Sequence, residues 1–152
     1  MVIDMSETTL CYVECEDCYL MLNRNKRKDD LNKGKWIGIG GHIEKDENPF
    51  ECIIREAKEE AELDISPVLR GKIYFYDSNY KEIMYLFTAN IDEKKLIECN
   101  EGTLAWIKKD KLFDLNLWEG DKLFFKRLLE SDEYFELELH YVDGKFIKGV
   151  FL

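Results

Sequence analysis

The chain of 152 residues is 45% hydrophobic and 13% aromatic, and its 22 basic and 32 acidic side chains leave a net charge of −10. This hydrophobic content excludes a disordered chain, and the length suits one domain over residues 1–152 with a single core. The negative charge argues against a nucleic-acid polymer as partner, because such binding needs basic side chains against the phosphates. An anionic ligand would therefore need a metal ion to invert the local charge.

The sequence has no apolar run long enough to cross a bilayer, and its first residues, MVIDMSETTL, lack the basic flank and apolar centre of a signal peptide. We therefore expect a cytoplasmic protein with no membrane partner and with its cysteines reduced. Cys11, Cys15 and Cys18 have a spacing that resembles a zinc knuckle. They lie in strand-like runs, however, and no second cysteine pair or histidine pair follows them.

Two apolar runs rich in β-forming residues, TTLCYVECE and CYLMLNR, predict two strands with a tight connection at Glu16 and Asp17. The polar segment NKRKDDLNKGK predicts a loop, and further strand is expected in KWIGIGG and just beyond it. A helix follows, because Asn48 suits an N-cap, Pro49 suits the first helical position and Glu51 suits the first turn. The helical pattern ends near residue 62.

In the second half of the chain, LRGKIYFYD and KEIMYLFTANI predict a long hairpin, and TLAWIKK predicts another strand. The segment DKLFFKRLLES has apolar residues at helical spacing: Leu123, Phe124, Leu128 and Leu129. YFELELHYV and KFIKGVFL flank Asp143 and Gly144, which predicts a final hairpin with a type I′ turn. This order of elements predicts an α+β fold in which a mixed sheet is packed between helices.

The first predicted helix has one acidic face. On a helical wheel of about 100° per residue, the polar face holds Arg55, Glu56, Glu59 and Glu60. The opposite face is expected to be core and holds Phe50, Ile53, Ile54, Ala57 and Ala61. Solvation alone explains many such faces. Here three glutamates at i, i+3 and i+4 converge, and they repel one another unless a cation lies beside them.

Clusters of carboxylate oxygens suit hard divalent cations such as Mg²⁺ or Mn²⁺. Gly38, Gly40 and Gly41 lie immediately upstream, where backbone can approach a ligand or offer a carbonyl to a metal. Arg55 lies among the glutamates and can fix the orientation of a carboxylate by a bidentate pair.

These residues form a known family pattern, G-x5-E-x7-R-E-U-x-E-E-x-G-U, the Nudix box. The matching positions are Gly41, Glu47, Arg55, Glu56, Ala57, Glu59, Glu60 and Leu63. The chain therefore resembles a Nudix hydrolase, a family that cleaves a nucleoside diphosphate linked to a further moiety, using divalent metals held by the box helix.

The resemblance implies that Glu56 and Glu60 are the principal metal ligands. It also implies that Glu59 is a further ligand or a base, that Arg55 orients the carboxylates and that the Gly40 carbonyl is a candidate ligand. One position departs from the pattern, because Glu62 stands where the box has glycine. A left-handed glutamate there would cost about 1 kcal/mol.

Outside the box, GKWIGIGG and LAWIKKDKLFDLNLWEGD resemble the MutT-type branch, which removes oxidised purine nucleoside triphosphates such as 8-oxo-dGTP. That resemblance implies that Trp118 and Asp121 face the base, although Trp118 would equally suit a core or lid position. Glu101 matches a family glutamate that approaches the metals from another element, with a solvated loop residue as the alternative. Gly120 replaces an aspartate of the animal enzymes, and Ile37 replaces an asparagine that contacts the base.

Arg24 ends the second predicted strand and is a candidate phosphate contact, and the basic loop from Lys26 to Lys35 is either an electrostatic guide for the anion or a solvated segment. His42 and His140 are interpreted as structural residues.

The leading hypothesis is a Mg²⁺- or Mn²⁺-dependent nucleoside triphosphate pyrophosphatase, a monomer or homodimer acting on a small-molecule nucleotide. Two alternatives stay open: a Nudix hydrolase of ADP-ribose, a nucleotide sugar or a dinucleoside polyphosphate, and a non-catalytic nucleotide-binding module.

Overall fold

The computed structural model describes residues 4–26, 28–30 and 32–152. Residues 1–3 of the N-terminal segment and positions 27 and 31 of the predicted basic loop lie outside the described residues. The described elements follow in this order: β1 Asp4–Cys15, β2 Cys18–Asn23, β3 Trp36–Ile37, α1 Pro49–Ala61, β4 Val68–Asp77, β5 Tyr80–Asn90, β6 Thr103–Lys108, a 3₁₀-helix Lys109–Asp114, α2 Asp121–Glu130, β7 Phe135–Val142 and β8 Lys145–Phe151.

The strands form a mixed sheet, as the sequence predicts. The strand order is β3-β2-β1-β5-β4-β7-β8, and β6 pairs with β2. β1 runs parallel to β5 and β4 runs parallel to β7, whereas the other pairs are antiparallel. Both predicted hairpins are present, and the second turns through Asp143 and Gly144 with φ of 50° and 79°. Positive φ at both positions is the signature of the predicted type I′ turn.

Helices cover both faces of the sheet. Successive residues of a strand point to opposite faces, and β1 follows this rule. Tyr12 packs in one apolar cluster with Phe124 of α2, whereas Cys11 packs in a second cluster with Ile53 of α1. The prediction of a mixed sheet packed between helices is confirmed.

The strand predicted in and beyond KWIGIGG is shorter than expected. β3 has only two residues, and the chain after it meets β1 through isolated bridges at Ile39 and His42. A Cβ atom on Gly38 would lie 2.5 Å from the Cys11 carbonyl oxygen, and one on Gly40 would lie 2.0 Å from that of Thr9. The glycines therefore let this segment pass directly over β1 on its way to α1.

The capping residues of α1 are those that the sequence predicts. The Asn48 side chain accepts a hydrogen bond from the Glu51 N–H at 2.8 Å, and the Glu51 carboxylate accepts one from the Asn48 N–H at 2.9 Å. At the other end Glu62 has φ 54° and ψ 35°, the left-handed conformation expected of the box glycine. The glutamate thus ends the helix as the glycine would, despite its Cβ.

The rotation of α1 about its axis differs from the wheel prediction. Phe50 and Ile54 were expected in the core, but they are 43% and 44% exposed. Glu60 was expected on the polar face, but it is only 7% exposed. The helix turns Glu60 towards the glycine segment because the Gly40 N–H donates to its carboxylate at 2.8 Å.

Two smaller differences concern the second half of the chain. The 3₁₀-helix between β6 and α2 was not predicted, and Leu129, one of the four apolar residues at helical spacing in α2, is 39% exposed. In the part of the chain that the structure describes, no helix has both the length and the apolar character needed to span a bilayer.

Candidate active site

A cavity of about 590 Å³ opens between the glycine segment, β1, β5 and the start of α2. One group of lining residues belongs to the predicted metal and phosphate machinery: Arg24, Gly40, Gly41, Glu56 and Glu101. A second group belongs to the predicted base site: Ile37, Trp118 and Asp121. Residues that are far apart in sequence thus line one cavity, and Arg55, Glu47, Glu59 and Glu60 lie behind or beside its wall.

Arg55 lies within the acidic cluster and donates hydrogen bonds to three of its carboxylates. Its Nε and Nη2 donate to the two oxygens of Glu47 at 2.8 and 3.0 Å, a bidentate pair. Its Nη1 donates to Glu56 at 3.0 Å and to Glu59 at 3.2 Å. The hydrogen bonds from Arg55 hold the pKa of Glu47 at about 2. The guanidinium therefore fixes the orientation of three carboxylates.

Within the described part of the chain, Glu60 has no such cationic partner. One of its oxygens accepts the Gly40 N–H, and the other, Oε2, is buried without a hydrogen-bond partner among the described residues. Burial, with further repulsion from Glu101 and Glu56, raises the pKa of Glu60 to about 9. The Oε2 atom of Glu60 is therefore buried next to two other carboxyls without a described hydrogen-bond donor. A bound cation would stabilise it.

Gly41 lies directly against Glu56. A Cβ atom at position 41 would fall 2.5 Å from Oε1 and 3.1 Å from Oε2 of Glu56, so any larger residue would displace that carboxylate. Burial raises the pKa of Glu56, and the charge of Arg55 opposes this shift. Glycine is therefore the residue that fits at position 41 without displacing the Glu56 carboxylate.

The carboxylates do not converge on a common point as they stand. Among residues 4–26, 28–30 and 32–152, no three acidic, cysteine or histidine side chains form a ready-made metal cluster. Glu56 and Glu59 are turned towards Arg55 instead. The donor set nevertheless fits a hard divalent cation, because it consists of oxygens and includes the unpaired Oε2 of Glu60.

Arg24 makes contacts that the sequence does not predict. Its Nε donates to Asp30 at 2.6 Å, and its Nη1 lies 3.2 Å from Oε2 of Glu101. The first pair bridges the basic loop to β2, and the second places Glu101 beside the acidic cluster. Arg24 therefore brings a positive charge to the cavity wall next to Glu101.

Trp118 is half-buried at the cavity, so it is neither a core residue nor a free surface residue. Its Nε1 donates to the Asn32 side chain at 2.7 Å, and the Lys35 ammonium lies 5.0 Å from the ring centre. Tyr141 meets it edge to face at 5.8 Å. These contacts fix the indole plane at the cavity wall.

Asp121 is the first residue of α2 and is only 7% exposed. Burial raises the pKa of Asp121 to about 8, with a further contribution from the charge of Glu82, while Lys35 acts in the opposite direction. The carboxyl therefore holds its proton at neutral pH and can donate as well as accept.

The contact with Tyr141 explains why a glycine occupies position 120. Its N–H donates to the Tyr141 hydroxyl at 2.8 Å, and a Cβ atom there would lie 2.8 Å from that same oxygen. An aspartate at this position would displace Tyr141.

The two histidines lie in different parts of the fold, and His42 both pairs with Thr8 of β1 and lines the cavity. His42 is exposed in the turn after β3, and His140 in β7 stacks on Tyr76 at 4.8 Å and lies 3.1 Å from Glu138. All five cysteines are free and buried. Cys52, of unexplained role in the sequence, lies under the glycine segment, with its sulfur 3.2 Å from the Thr9 hydroxyl.

Sequence reasoning missed several polar residues of the cavity wall, among them Thr8, Tyr80 and Glu82. The sequence signal that could have found Glu82 is its position in the largely apolar strand β5, two residues after Tyr80 and two before Met84.

Comparisons with known proteins show similarity in sequence and in fold. A family model of the NUDIX domain matches residues 8–128. An oxidized purine nucleoside triphosphate hydrolase from Danio rerio is 29% identical over 120 residues, which cover 75% of this chain and 77% of that protein.

Solved structures give the same result. The crystal structure of a MutT protein from Bacillus halodurans matches with a TM-score of 0.84 and 28% identity, covering 96% of this chain and 97% of that chain. A MutT protein from Methanosarcina mazei shares the fold at a TM-score of 0.72 and 23% identity, covering 81% and 91%.

The chain belongs to the Nudix family and is a hydrolase of the MutT type, which acts on pyrophosphate bonds. Enzymes of this family act on small-molecule nucleotides and generally use divalent metal ions.

Proposed function

We propose that this Nudix hydrolase cleaves a purine nucleoside triphosphate, such as 8-oxo-dGTP, to the monophosphate and pyrophosphate with Mg²⁺ or Mn²⁺. The observation that carries the proposal is that one cavity of about 590 Å³ is lined by both Glu56 and the pair Trp118 and Asp121. This volume is in the range of small-molecule sites. The similarity to the Danio rerio oxidized purine nucleoside triphosphate hydrolase supports the same class of substrate.

Glu56, Glu60 and Glu101 would hold the metal, with Glu59 as a further ligand or as the base and the Gly40 carbonyl as an additional donor. When bound, the divalent ion would supply a Lewis acid that neutralises charge on the polyphosphate and on the leaving group. Arg55 acts as a positioning residue, because its hydrogen bonds orient Glu47, Glu56 and Glu59. Glu59 is the most exposed of the box carboxylates, so it is the one best placed to take a proton from water.

At the other side of the cavity, Trp118 would stack on the base and Asp121 would hydrogen-bond its edge. Arg24 would meet a phosphate from the wall beside Glu101. Ile37 offers only an apolar contact where the animal enzymes have an amide. We therefore expect weaker discrimination between oxidised and normal purines than in those enzymes, because unpaired polar groups are what reject a wrong ligand strongly.

The test is a panel of substrates for the purified protein with Mg²⁺ or Mn²⁺: 8-oxo-dGTP, dGTP, dATP and ADP-ribose. We expect the highest kcat/KM on a purine triphosphate, with release of pyrophosphate and monophosphate. ADP-ribose as the best substrate would contradict the proposal and favour the other class of Nudix substrates.

The same assay tests the metal ligands. Glu56→Gln and Glu60→Gln should lower kcat by orders of magnitude, because each removes a ligand charge. Glu62→Gln is the matched control, since Glu62 follows the same helix, is exposed and has no assigned role. Unchanged turnover in both ligand variants, at an unchanged melting temperature, would contradict the metal assignment.

A further inference from the structure

Glu82 is a carboxylate in the cavity that the reaction chemistry above does not use. It lies near the start of β5, on the same side as Tyr80 and Met84, and all three line the cavity. The Thr8 hydroxyl donates to its Oε2 at 2.8 Å, and the Tyr80 hydroxyl donates to its Oε1 at 2.5 Å. Each carboxylate oxygen can accept a second hydrogen bond. The two hydroxyls therefore fix the orientation of the carboxylate, and each of its oxygens can still accept a further hydrogen bond.

A second carboxyl faces the same cavity from another element. Asp121 lies at the start of α2, is more than nine-tenths buried and makes no side-chain hydrogen bond to any part of the chain that the structure describes. A buried polar group with no partner costs free energy unless a ligand completes it. Asp121 is thus an unsatisfied group aimed at whatever occupies the cavity.

The two carboxyls differ in what they offer. Burial keeps the proton on Asp121 at neutral pH, so it presents an O–H donor. Glu82 accepts both of its hydroxyl contacts and presents only acceptors. Burial also raises the pKa of Tyr80 to about 12, which keeps its phenol a donor to Glu82. The cavity therefore offers one donor and two adjacent acceptors between apolar walls that include Trp118 and Ile37.

We infer that Glu82 is a specificity-determining residue that accepts hydrogen bonds from two neighbouring N–H groups of a guanine-type base, its N1–H and its 2-amino group. The inference rests on the proposed function, which places a purine in this cavity. Guanine carries an oxygen acceptor beside these two donors, which matches Asp121 beside Glu82. Adenine has a ring-nitrogen acceptor at the central position, and that atom would face a carboxylate oxygen unpaired.

A purely structural role is the alternative, since Glu82 also ties β1 to β5 through Thr8. The two roles predict different measurements. A structural tie affects the melting temperature and all ligands equally, whereas a base-reading residue affects the ratio of affinities for two bases that differ in one donor.

The experiment measures binding of dGMP and dIMP by calorimetry, because these nucleotides differ only in the 2-amino group and binding needs no turnover. Wild-type protein should bind dGMP about tenfold more tightly, in line with the discrimination of a bidentate base contact. Glu82→Gln replaces one acceptor by a donor and should narrow the ratio to within about threefold. Dependence on the N1–H is tested with N1-methyl-dGMP, which should bind wild-type protein more weakly than dGMP.

Two further variants serve as controls. Glu7→Gln alters a similar pair on the same two strands, where the Tyr85 hydroxyl donates to Glu7 at 3.4 Å outside the cavity, and it should leave the ratio unchanged. Tyr80→Phe removes one donor to Glu82 but keeps the carboxylate, so a preference for dGMP should persist. If Glu82→Gln does not fold, the wild-type comparison of the three ligands still decides.

The outcomes separate this inference from the proposed function. Equal wild-type affinity for dGMP and dIMP, or an unchanged ratio in folded Glu82→Gln, overturns the role of Glu82 even if purine triphosphates are hydrolysed. A preference for dGMP that depends on Glu82, in a protein that cleaves no purine triphosphate, supports the inference and overturns the proposed activity. Failure to bind any of these nucleotides overturns the inference about Glu82, whereas the proposed activity is decided by the substrate panel.

Discussion

Two glutamates of the Nudix box, Glu47 and Glu60, have opposite pKa shifts although both lie within one cluster. The bidentate hydrogen bonds from Arg55 lower the pKa of Glu47 to about 2, whereas burial raises that of Glu60 to about 9. The difference is the partner: Glu47 has a guanidinium and Glu60 has only a backbone N–H. Neighbours of this kind push carboxyl pKa values apart. The carboxyl without a cation is the one that gains most from a bound metal.

Asp121 gives a pH prediction at the level of a single residue. The folded protein holds the proton of Asp121 up to about pH 8, whereas an unperturbed aspartate has a pKa of 3.8. Stability from this group is thus fully present below about pH 4 and is lost as the pH rises towards 8. Relative to Asp121→Asn, wild-type protein should lose more than about 1 kcal/mol of unfolding free energy between pH 5 and pH 8.

Urea unfolding at the two pH values measures this difference. The exposed residue Asp110 supplies the control, since Asp110→Asn should shift stability by the same small amount at both pH values. A pH-independent gap between wild-type protein and Asp121→Asn would show that the buried carboxyl is ionised throughout.

The end of α1 gives a prediction at the level of the element. Glu62 holds a left-handed φ of 54°, exposed and after the last helical residue. Because glycine adopts this conformation without steric penalty, Glu62→Gly should raise the unfolding free energy by up to about 1 kcal/mol and leave metal dependence intact. Glu62→Ala keeps the Cβ and should give no such gain. Thermal unfolding of the three proteins decides, and a lower melting temperature for Glu62→Gly would contradict the strain argument.

The same helix shows why sequence reasoning succeeds for some features and fails for others. The cap at Asn48 and the stop at Glu62 depend on neighbours within a few residues, so local rules predict them. The rotation of the helix depends on the contact between Glu60 and the Gly40 N–H, twenty positions apart. A wheel that sorts residues by polarity cannot foresee that a glutamate faces inward, so it places Phe50 and Ile54 in the core wrongly.

At the level of the whole molecule, the box motif and the succession of strands and helices along the chain were readable because each depends on a pattern within one segment. The cavity was not, since it joins β1, β5 and α2 across the sheet. Thr8 and Glu82 are hydrogen-bonded although they lie 74 positions apart in the sequence. In β5 the apolar alternation indicates a strand, but the sequence of β5 does not show that Thr8 of the neighbouring strand β1 donates to its carboxylate, Glu82.

The arrangement of the cavity predicts that base reading and metal chemistry are separable. α1 and its glutamates pack on one face of the sheet, and α2 with Asp121 packs on the other. On the proposed function, Trp118→Ala would remove a stacking contact worth about 1–3 kcal/mol, which corresponds to roughly a five- to 150-fold rise in KM for a purine triphosphate. Because stacking is equal in the ground and transition states, kcat and the metal concentration for half-maximal activity should change by less than about threefold.

Glu56→Gln should show the reverse pattern, with kcat reduced and KM little altered. Steady-state kinetics at several metal concentrations distinguish the two, and a Trp118→Ala variant that loses kcat as Glu56→Gln does would show that the two sides of the cavity act as one unit.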